Sequence, residues 1–556
     1  MIVGIMVDAD KVLIGGNIIT VNSKAPRAEA VAIKNGRFFW VGSTEEVKAA
    51  IGKGTEIRDL KGMTVVPGFN EAHNHTLQFG HILSGILLAS VYSMSGILDL
   101  VRERAECQKE GTWIFGSGFD QNKLREKRLP TRWDLDKVAP NHPVSLKHTS
   151  MHVMVVNSKA LSLAGITKNT PNPEGGEISR DHKTGELTGI LLEFPAMNLI
   201  ENIMPKPSQE DLIAALQRAS EKLLSEGITS ATDAGVGVLV DVPGQIAAYQ
   251  EAVERGALRV RHNLAIWSNA LFNYENFDEE LKKVEWNLLG MGIRSGLGNE
   301  RLRIGPFKFV PDGAVSSGTA VTYETYGADP NHQTTGVFVI DPEKLTKLAC
   351  VVHALGWQLM IHAIGDRTLD TAINAIAKAL QTRNKEDPRP RLEHCVMITP
   401  SMIERIRELG ILLTLQPGFV WGLGDSYITQ LGKEKAARTK PFRALLDNNI
   451  MVAFSSDRPV IDGAPLLGIH AAVNEKTVTG QDFAPAEKIS VEEALRCYTI
   501  NGAYTTFEEH IKGSLETGKL ADLVILAEDP TKIAPESIKD VQVMATMVGG
   551  EFLYKK

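Results

Sequence analysis

Eight short apolar segments recur along the middle of the chain, at 64–75, 228–233, 259–266, 303–310, 358–363, 391–395, 411–416 and 451–457. Most are separated by amphipathic stretches of helical period. Parallel strands cannot be joined by tight turns and need a crossover, usually a helix. This alternation therefore predicts an α/β fold, a (β/α)8 TIM barrel whose functional groups lie at the C-terminal strand ends. Two crossover helices are expected in detail: 341–355, with Pro342 at its first position, and 367–380, with Asp366 as N-cap. One connection is anomalous. Roughly 150 residues separate the first two strands, far beyond an ordinary loop. Residues 80–207 are read as an inserted subdomain, a lid or specificity element over the barrel mouth. It contains strand-like pieces at 113–116 and 144–147.

A chain of 556 residues exceeds one ordinary core. The remaining material lies at the two ends. Residues 11–60 read as a small β unit with a hairpin turn at Asn35-Gly36, where both positions need positive φ. The C-terminus reads the same way, with strands at 521–526 and 541–548 and a Gly549-Gly550 turn. Neither end buries a core alone, so the two are expected to pair into one β-sandwich. The expected organisation is 1–63 sandwich, 64–506 barrel with insertion 80–207, and 507–556 sandwich.

Net charge is -7 and the pI about 6.1. That balance argues against a nucleic-acid partner, because phosphate neutralisation needs a basic surface. No apolar stretch is long enough to span a bilayer, and no signal peptide is read at the N-terminus. The four cysteines are far apart and form no Cys-x-x-Cys pair. They read as reduced thiols of a cytoplasmic protein.

The chemistry starts at Pro67-Gly68-Phe69-Asn70-Glu71-Ala72-His73-Asn74-His75. Residues two apart on a strand share a face, so His73 and His75 project together and can chelate one ion such as Zn2+. A lone His-x-His says little. The later strands add to it: Lys308, His362, His394 and Asp457 each fall near a strand's C-terminal end, where a barrel brings such groups together. Taken singly, each has an ordinary structural reading. Their convergence points to a metal site of one or two divalent ions. His152, in the insertion, and the tryptophans Trp113 and Trp421 are candidate substrate contacts.

The ordered set His-x-His, Lys, His, His, Asp on such a barrel resembles the amidohydrolase superfamily. Other stretches are similar to its amidohydrolase-3 subgroup, which includes N-substituted formamide deformylases. They are Asp120-Gln121-Asn122, Val156-Asn157-Ser158-Lys159-Ala160-Leu161, Lys308-Phe309-Val310-Pro311-Asp312-Gly313, His362-Ala363-Ile364-Gly365-Asp366 and Gly518-Lys519-Leu520-Ala521-Asp522-Leu523. The chain departs at Glu71, where the subgroup usually has Asp, and at Ser150-Met151, where Asp-Gly usually precedes the histidine corresponding to His152. The resemblance implies a Lys308 carbamate formed with CO2 and bridging two metals. It implies His73, His75 and Asp457 on one ion, His362 and His394 on the other. A metal-activated hydroxide would attack, with Asp457 as general base and then acid. The expected activity is hydrolysis of a carbon–nitrogen amide-type bond in a small N-acyl or N-formyl amine. Alternatives are a cyclic-amide hydrolase or deaminase on the same site, or a catalytically dead scaffold. A homodimer is compatible with this reading.

Overall fold

The computed structural model describes residues 8–271, 277, 279, 281–282, 292–328 and 333–556. Residues 1–7 of the expected 1–63 segment lie outside the described residues.

Eight parallel strands follow one another in sequence order: β1 (Phe69–Asn74), β2 (Ile228–Val236), β3 (Arg261–Trp267), β4 (Leu302–Phe309), β5 (Leu359–Ala363), β6 (Arg391–His394), β7 (Leu412–Leu415) and β8 (Val452–Phe454). Every residue of β1, β2, β3, β5, β6, β7 and β8 is buried, as expected of strands covered on both faces. The edges β1 and β8 meet at their C-terminal ends. There the Asp457 N–H donates to the His73 carbonyl at 2.9 Å, and the His75 N–H to the Arg458 carbonyl at 2.8 Å. The fold is a TIM-type α/β barrel.

The segment 64–75 is not one strand. Thr64–Pro67 runs parallel to Asn17–Ile19 and antiparallel to Leu523–Leu526, outside the barrel sheet. Only Phe69–Asn74 enters the barrel. Gly68 is the break: its N–H donates to the Asp522 carbonyl at 3.0 Å, and a Cβ there would stand 2.1 Å from Thr229 Oγ1. Glycine alone fits this close approach.

Helix Pro342–Ala354 begins as expected, with the Asp341 carboxylate accepting the Glu343 and Lys344 N–H groups. The next helix differs by one residue. Asp366 lies inside Asp366–Leu380, and Gly365 takes the cap position. The Asp366 carboxylate instead accepts the N–H groups of Tyr323 and Arg367.

The ends of the chain build two further sheets. One is four-stranded, from residues 11–59; the other is six-stranded and joins Arg27–Ala28, Asn17–Ile19 and Thr64–Pro67 to the three C-terminal strands. Leu13, Ile33 and Phe38 of the first share one buried cluster with Val65, Leu523, Ile525 and Met547 of the second. Asn35 and Gly36 have φ of +49° and +74°, as the hairpin signal requires. Between β1 and β2 the chain forms a six-stranded mixed sheet, from Ile86–Leu87 to Leu187–Leu192 and Glu177–Arg180. Among the described residues no helix is long and apolar enough to cross a membrane.

Candidate active site

The strand-end residues meet at the C-terminal mouth of the barrel. One small cavity of about 40 Å3 is lined by His73, His75, Lys308, His362, His394 and Asp457 together. Ligand atoms of His73, His75 and Asp457 all lie within 4.8 Å of one another. Asp457 Oδ1 is 3.3 Å from both His73 Nε2 and His75 Nε2. Lys308 Nζ is 3.2 Å from His73 Nε2. The rings of His362 and His394 stand 4.5 Å apart, and those of His73 and His394 4.9 Å.

Partners outside the cavity fix which nitrogen each ring turns inward. His73 Nδ1–H donates to Glu393 Oε2 at 2.5 Å, leaving Nε2 free of its proton. His394 Nδ1–H donates to Gln416 Oε1 at 3.0 Å. His362 Nε2–H donates to the Gly313 carbonyl at 3.1 Å, leaving Nδ1. Metal-binding histidines characteristically donate their second ring N–H to a carboxylate or carbonyl in this way. His75 differs: its Nδ1 is buried against Gly235 and has no hydrogen-bond partner among the described residues.

The electrostatics suit a cation. Burial pulls His75 and His362 below the ordinary imidazole pKa. Burial and the facing His362 push His394 well below it. Such rings are neutral and able to act as ligands. Burial alone would raise the Asp457 carboxyl, but the facing His394 and His73 outweigh it and hold it well below the usual carboxylate range. Burial lowers the Lys308 ammonium to about 8, against the pull of Glu393 and Asp457. Lone pairs, a carboxylate and a depressed lysine thus surround one space. The donor set fits a divalent ion held by His73, His75 and Asp457.

Glu393 was not visible as a site residue in the sequence. Burial would raise its carboxyl, but Arg391 and His73 hold it at about 2. The fully buried Arg391 contacts both Glu393 oxygens, at 3.0 and 3.2 Å. Consecutive strand residues normally face opposite sides, yet Glu393 and His394 both serve the site. His394 has φ +71°, which breaks the alternation. Asp457, at φ +56°, is also in the left-handed region, which costs a non-glycine residue about 1–3 kcal/mol. Glu71, where the subgroup usually has Asp, does not line the cavity; its carboxylate accepts the Ser456 N–H at 2.9 Å.

The segment between β1 and β2 supplies Ser150, Met151, His152 and Phe194 to the same cavity. His152 Nδ1 is 2.7 Å from Glu193 Oε2, and its ring faces His362 at 5.9 Å. Burial would lower the His152 pKa, but Glu193 reverses this and raises it. Phe194 stands edge-on to Trp267, another wall residue, at 5.3 Å. No spacing rule links Glu193 or Trp267 to the motif. The other two candidate contacts lie elsewhere. Trp113 stacks on Phe115 and lines an adjoining cavity of about 500 Å3 that shares Gln78 and Val238 with the first. Trp421 packs edge-on to His470 and lines a third cavity, of about 880 Å3.

A profile of the amidohydrolase family matches residues 56–554. The chain is 30% identical to an N-substituted formamide deformylase of Arthrobacter pascens, covering 98% of each chain. It is 33% identical to the protein LONG AFTER FAR-RED 3 of Arabidopsis thaliana, over 98% of this chain and 92% of that one. Among solved structures, an uncharacterised metal-dependent hydrolase of Pyrococcus horikoshii matches at TM-score 0.73 and 27% identity, over 94% of this chain and 99% of that one. With the barrel and the convergent donors, these matches make the chain a member of the amidohydrolase family, a metal-dependent hydrolase acting on carbon–nitrogen bonds other than peptide bonds.

Proposed function

We propose that the chain hydrolyses N-acyl or N-formyl amines whose acyl group is short, using zinc held by His73, His75 and Asp457, with a second ion served by His362 and His394. The carrying observation is the size of the chamber at the donors. At about 40 Å3 before any ion is seated, the space at the donors is narrow and favours a small acyl group such as formyl or acetyl beside the metal. Beside the donors its walls carry the apolar side chains Met151, Phe194, Val238, Trp267, Val310 and Val460. The larger cavity that shares Gln78 and Val238 offers space for the amine portion, with the Trp113–Phe115 stack on its wall. The name of the Arthrobacter relative supports the same reaction.

When bound, the metal supplies Lewis acidity, polarising the acyl carbonyl and acidifying water. The chain's own groups do the rest. Asp457, held ionised beside His73 and His394, accepts the proton of the attacking water and returns it to the departing nitrogen. His152, braced by Glu193, offers its second nitrogen to the acyl oxygen from the roof. Lys308, buried 3.2 Å from His73, becomes an anionic ligand once carbamylated by CO2. The boundaries 1–63, 64–506 and 507–556 are proposed as sandwich, barrel and sandwich, with 80–207 the insertion over the mouth. Four unpaired thiols support a reducing, cytoplasmic setting.

The test is a series of N-acyl amines with one amine and acyl groups from formyl to butyryl, assayed on zinc-loaded protein. kcat/KM should fall by about tenfold or more beyond acetyl, in line with overpacking a narrow site. A flat series, or release of ammonia from ring substrates alone, would defeat the proposal. Asp457→Asn should cut kcat by orders of magnitude while leaving KM within about threefold.

A further inference from the structure

Ser150 stands at one of the two places where the chain departs from its subgroup's wording, and it lines the catalytic chamber. Its hydroxyl is held from two sides. His148, fully buried behind it, places Nδ1 2.8 Å from Ser150 Oγ and 3.0 Å from the Ser150 backbone N. The backbone N–H can only donate, so His148 Nδ1 is the acceptor and the ring proton sits on Nε2. That Nε2 faces Asp120 Oδ1 at 3.8 Å, and among the described residues His148 Nε2 and Asp120 Oδ2 are buried without a hydrogen-bond partner. The Asp120 carboxylate thus favours the tautomer that the Ser150 N–H demands.

The consequence falls on the hydroxyl. The single Nδ1 lone pair is shared by the Ser150 N–H at 3.0 Å and the Ser150 O–H at 2.8 Å, which draws the hydroxyl proton toward His148. Ser150 Oγ also accepts the His152 backbone N–H at 3.2 Å. A hydroxyl has one proton and two lone pairs. The proton and one pair are therefore committed, and one pair remains. Toward the chamber Ser150 can accept and cannot donate. Met151, at φ +63°, turns the chain immediately after it, and Ser150, Met151 and His152 all line the chamber.

We infer that Ser150, polarised by His148 and Asp120, is a specificity residue that accepts the N–H of a secondary amide substrate and so selects secondary over tertiary amides and over esters. The inference rests on the amide-hydrolase reading given above. An N-alkylated nitrogen brings a methyl group to this lone pair, and an ester oxygen brings a second acceptor. Either leaves the buried serine oxygen without that partner, and an unmet buried polar group is costly.

The experiment uses three probes with one alkyl group: N-butylformamide, N-butyl-N-methylformamide and butyl formate. The zinc-loaded full-length chain is compared with Ser150→Ala, Ser150→Cys and His148→Leu, each checked for thermal unfolding and zinc content. The wild type should prefer the secondary amide over the tertiary by about 100-fold. Ser150→Ala should lower kcat/KM for the secondary amide by about 10- to 100-fold, mainly through KM, leaving the tertiary amide and the ester within about threefold. The selectivity ratio should collapse toward one. Ser150→Cys, which preserves shape with a weak acceptor, should fall between. His148→Leu frees the hydroxyl to turn inward and donate, so it should raise ester turnover relative to the secondary amide. A selectivity ratio unchanged in Ser150→Ala, or all three probes losing activity in parallel, overturns the inference while leaving amide hydrolysis standing. Failure of the wild type to cleave either amide defeats the amide reading, and this inference with it.

Discussion

Glu393 is the residue on which the site's orientation turns. Its carboxylate takes the His73 Nδ1 proton at 2.5 Å, so Nε2 faces Asp457 and Lys308. Glu393→Gln keeps the shape and an acceptor but removes the charge, and leaves the buried Arg391 without its counter-ion. Zinc affinity should weaken by about 10- to 100-fold, with kcat falling in parallel; competition with a chromogenic chelator measures it. Undiminished affinity would mean that His73 is oriented by packing alone. A second buried histidine acts on stability. Burial depresses His262 to about 4, from an ordinary value of 6.5. The unfolded chain therefore binds the proton more readily between those values. The stabilisation is complete above pH 6.5 and is lost as pH falls through the window to about 4, on the order of 3 kcal/mol in all. His262→Asn should flatten the unfolding free energy between pH 6.5 and 4, read by denaturant titration at several pH values. An unaltered slope would assign acid lability to other groups.

At the scale of elements, the strand ends carry the prediction that Gly235 makes possible. Gly235 sits near the end of β2, where a Cβ would stand 2.5 Å from His75 Nδ1. Gly235→Ala must displace that ring, so zinc content should drop by about tenfold at limiting metal while the fold survives with a loss of about 1–3 kcal/mol. Wild-type metal affinity in that variant would show that the ring has slack. The same elements show what the sequence could and could not convey. Strands β5, β7 and β8 are visible as apolar runs because a strand buried on both faces tends to be apolar nearly throughout, and His362 stands out against that background. Strands β1 and β6 are polar at four of six and three of four positions, and carry their donors within those polar residues. The division at Gly68 was hidden, because Thr64–Pro67 and Phe69–Asn74 are both buried throughout and are separated by one residue, while the sheet each joins is set by distant partners. Glu393 was hidden by the alternation rule that His394 breaks with φ +71°. Glu193 and Gln416 meet their histidines through tertiary folding, from 41 and 22 residues away, without any periodic signal. Trp113 and Trp421 were aromatic enough to line a pocket, and each does, but neither lines the chamber of the donors.

At the scale of the whole molecule, the barrel is tied to the last strands of the chain by one buried ion pair. Arg261, the first residue of β3, donates from Nε to Asp522 Oδ2 at 2.7 Å and from Nη2 to Oδ1 at 3.0 Å, and both side chains are about 4% exposed. Asp522 is also a backbone junction: its carbonyl accepts the Gly68 N–H at 3.0 Å, and its carboxylate the Gly549 N–H at 2.7 Å. It therefore joins the point where the chain enters the barrel, the third barrel strand and the C-terminal hairpin. A bidentate pair of this kind gains geometric definition from Arg's fixed fork, yet its net contribution to stability is limited by desolvation. The two ways of removing it should consequently differ. Asp522→Ala leaves a buried guanidinium uncompensated and should destabilise by about 3–5 kcal/mol. It should also open the strands after residue 522 to protease before the barrel unfolds. The double variant Arg261→Met with Asp522→Leu removes both charges and should recover most of that loss. Denaturant unfolding followed by tryptophan fluorescence, with limited proteolysis in parallel, separates the cases. If Asp522→Ala is as stable as the wild type, the pair does not fasten the terminal strands. If the double variant is no better than the single, then the Gly549 N–H that the Asp522 carboxylate receives, rather than the charge pairing with Arg261, holds the C-terminal hairpin to the barrel.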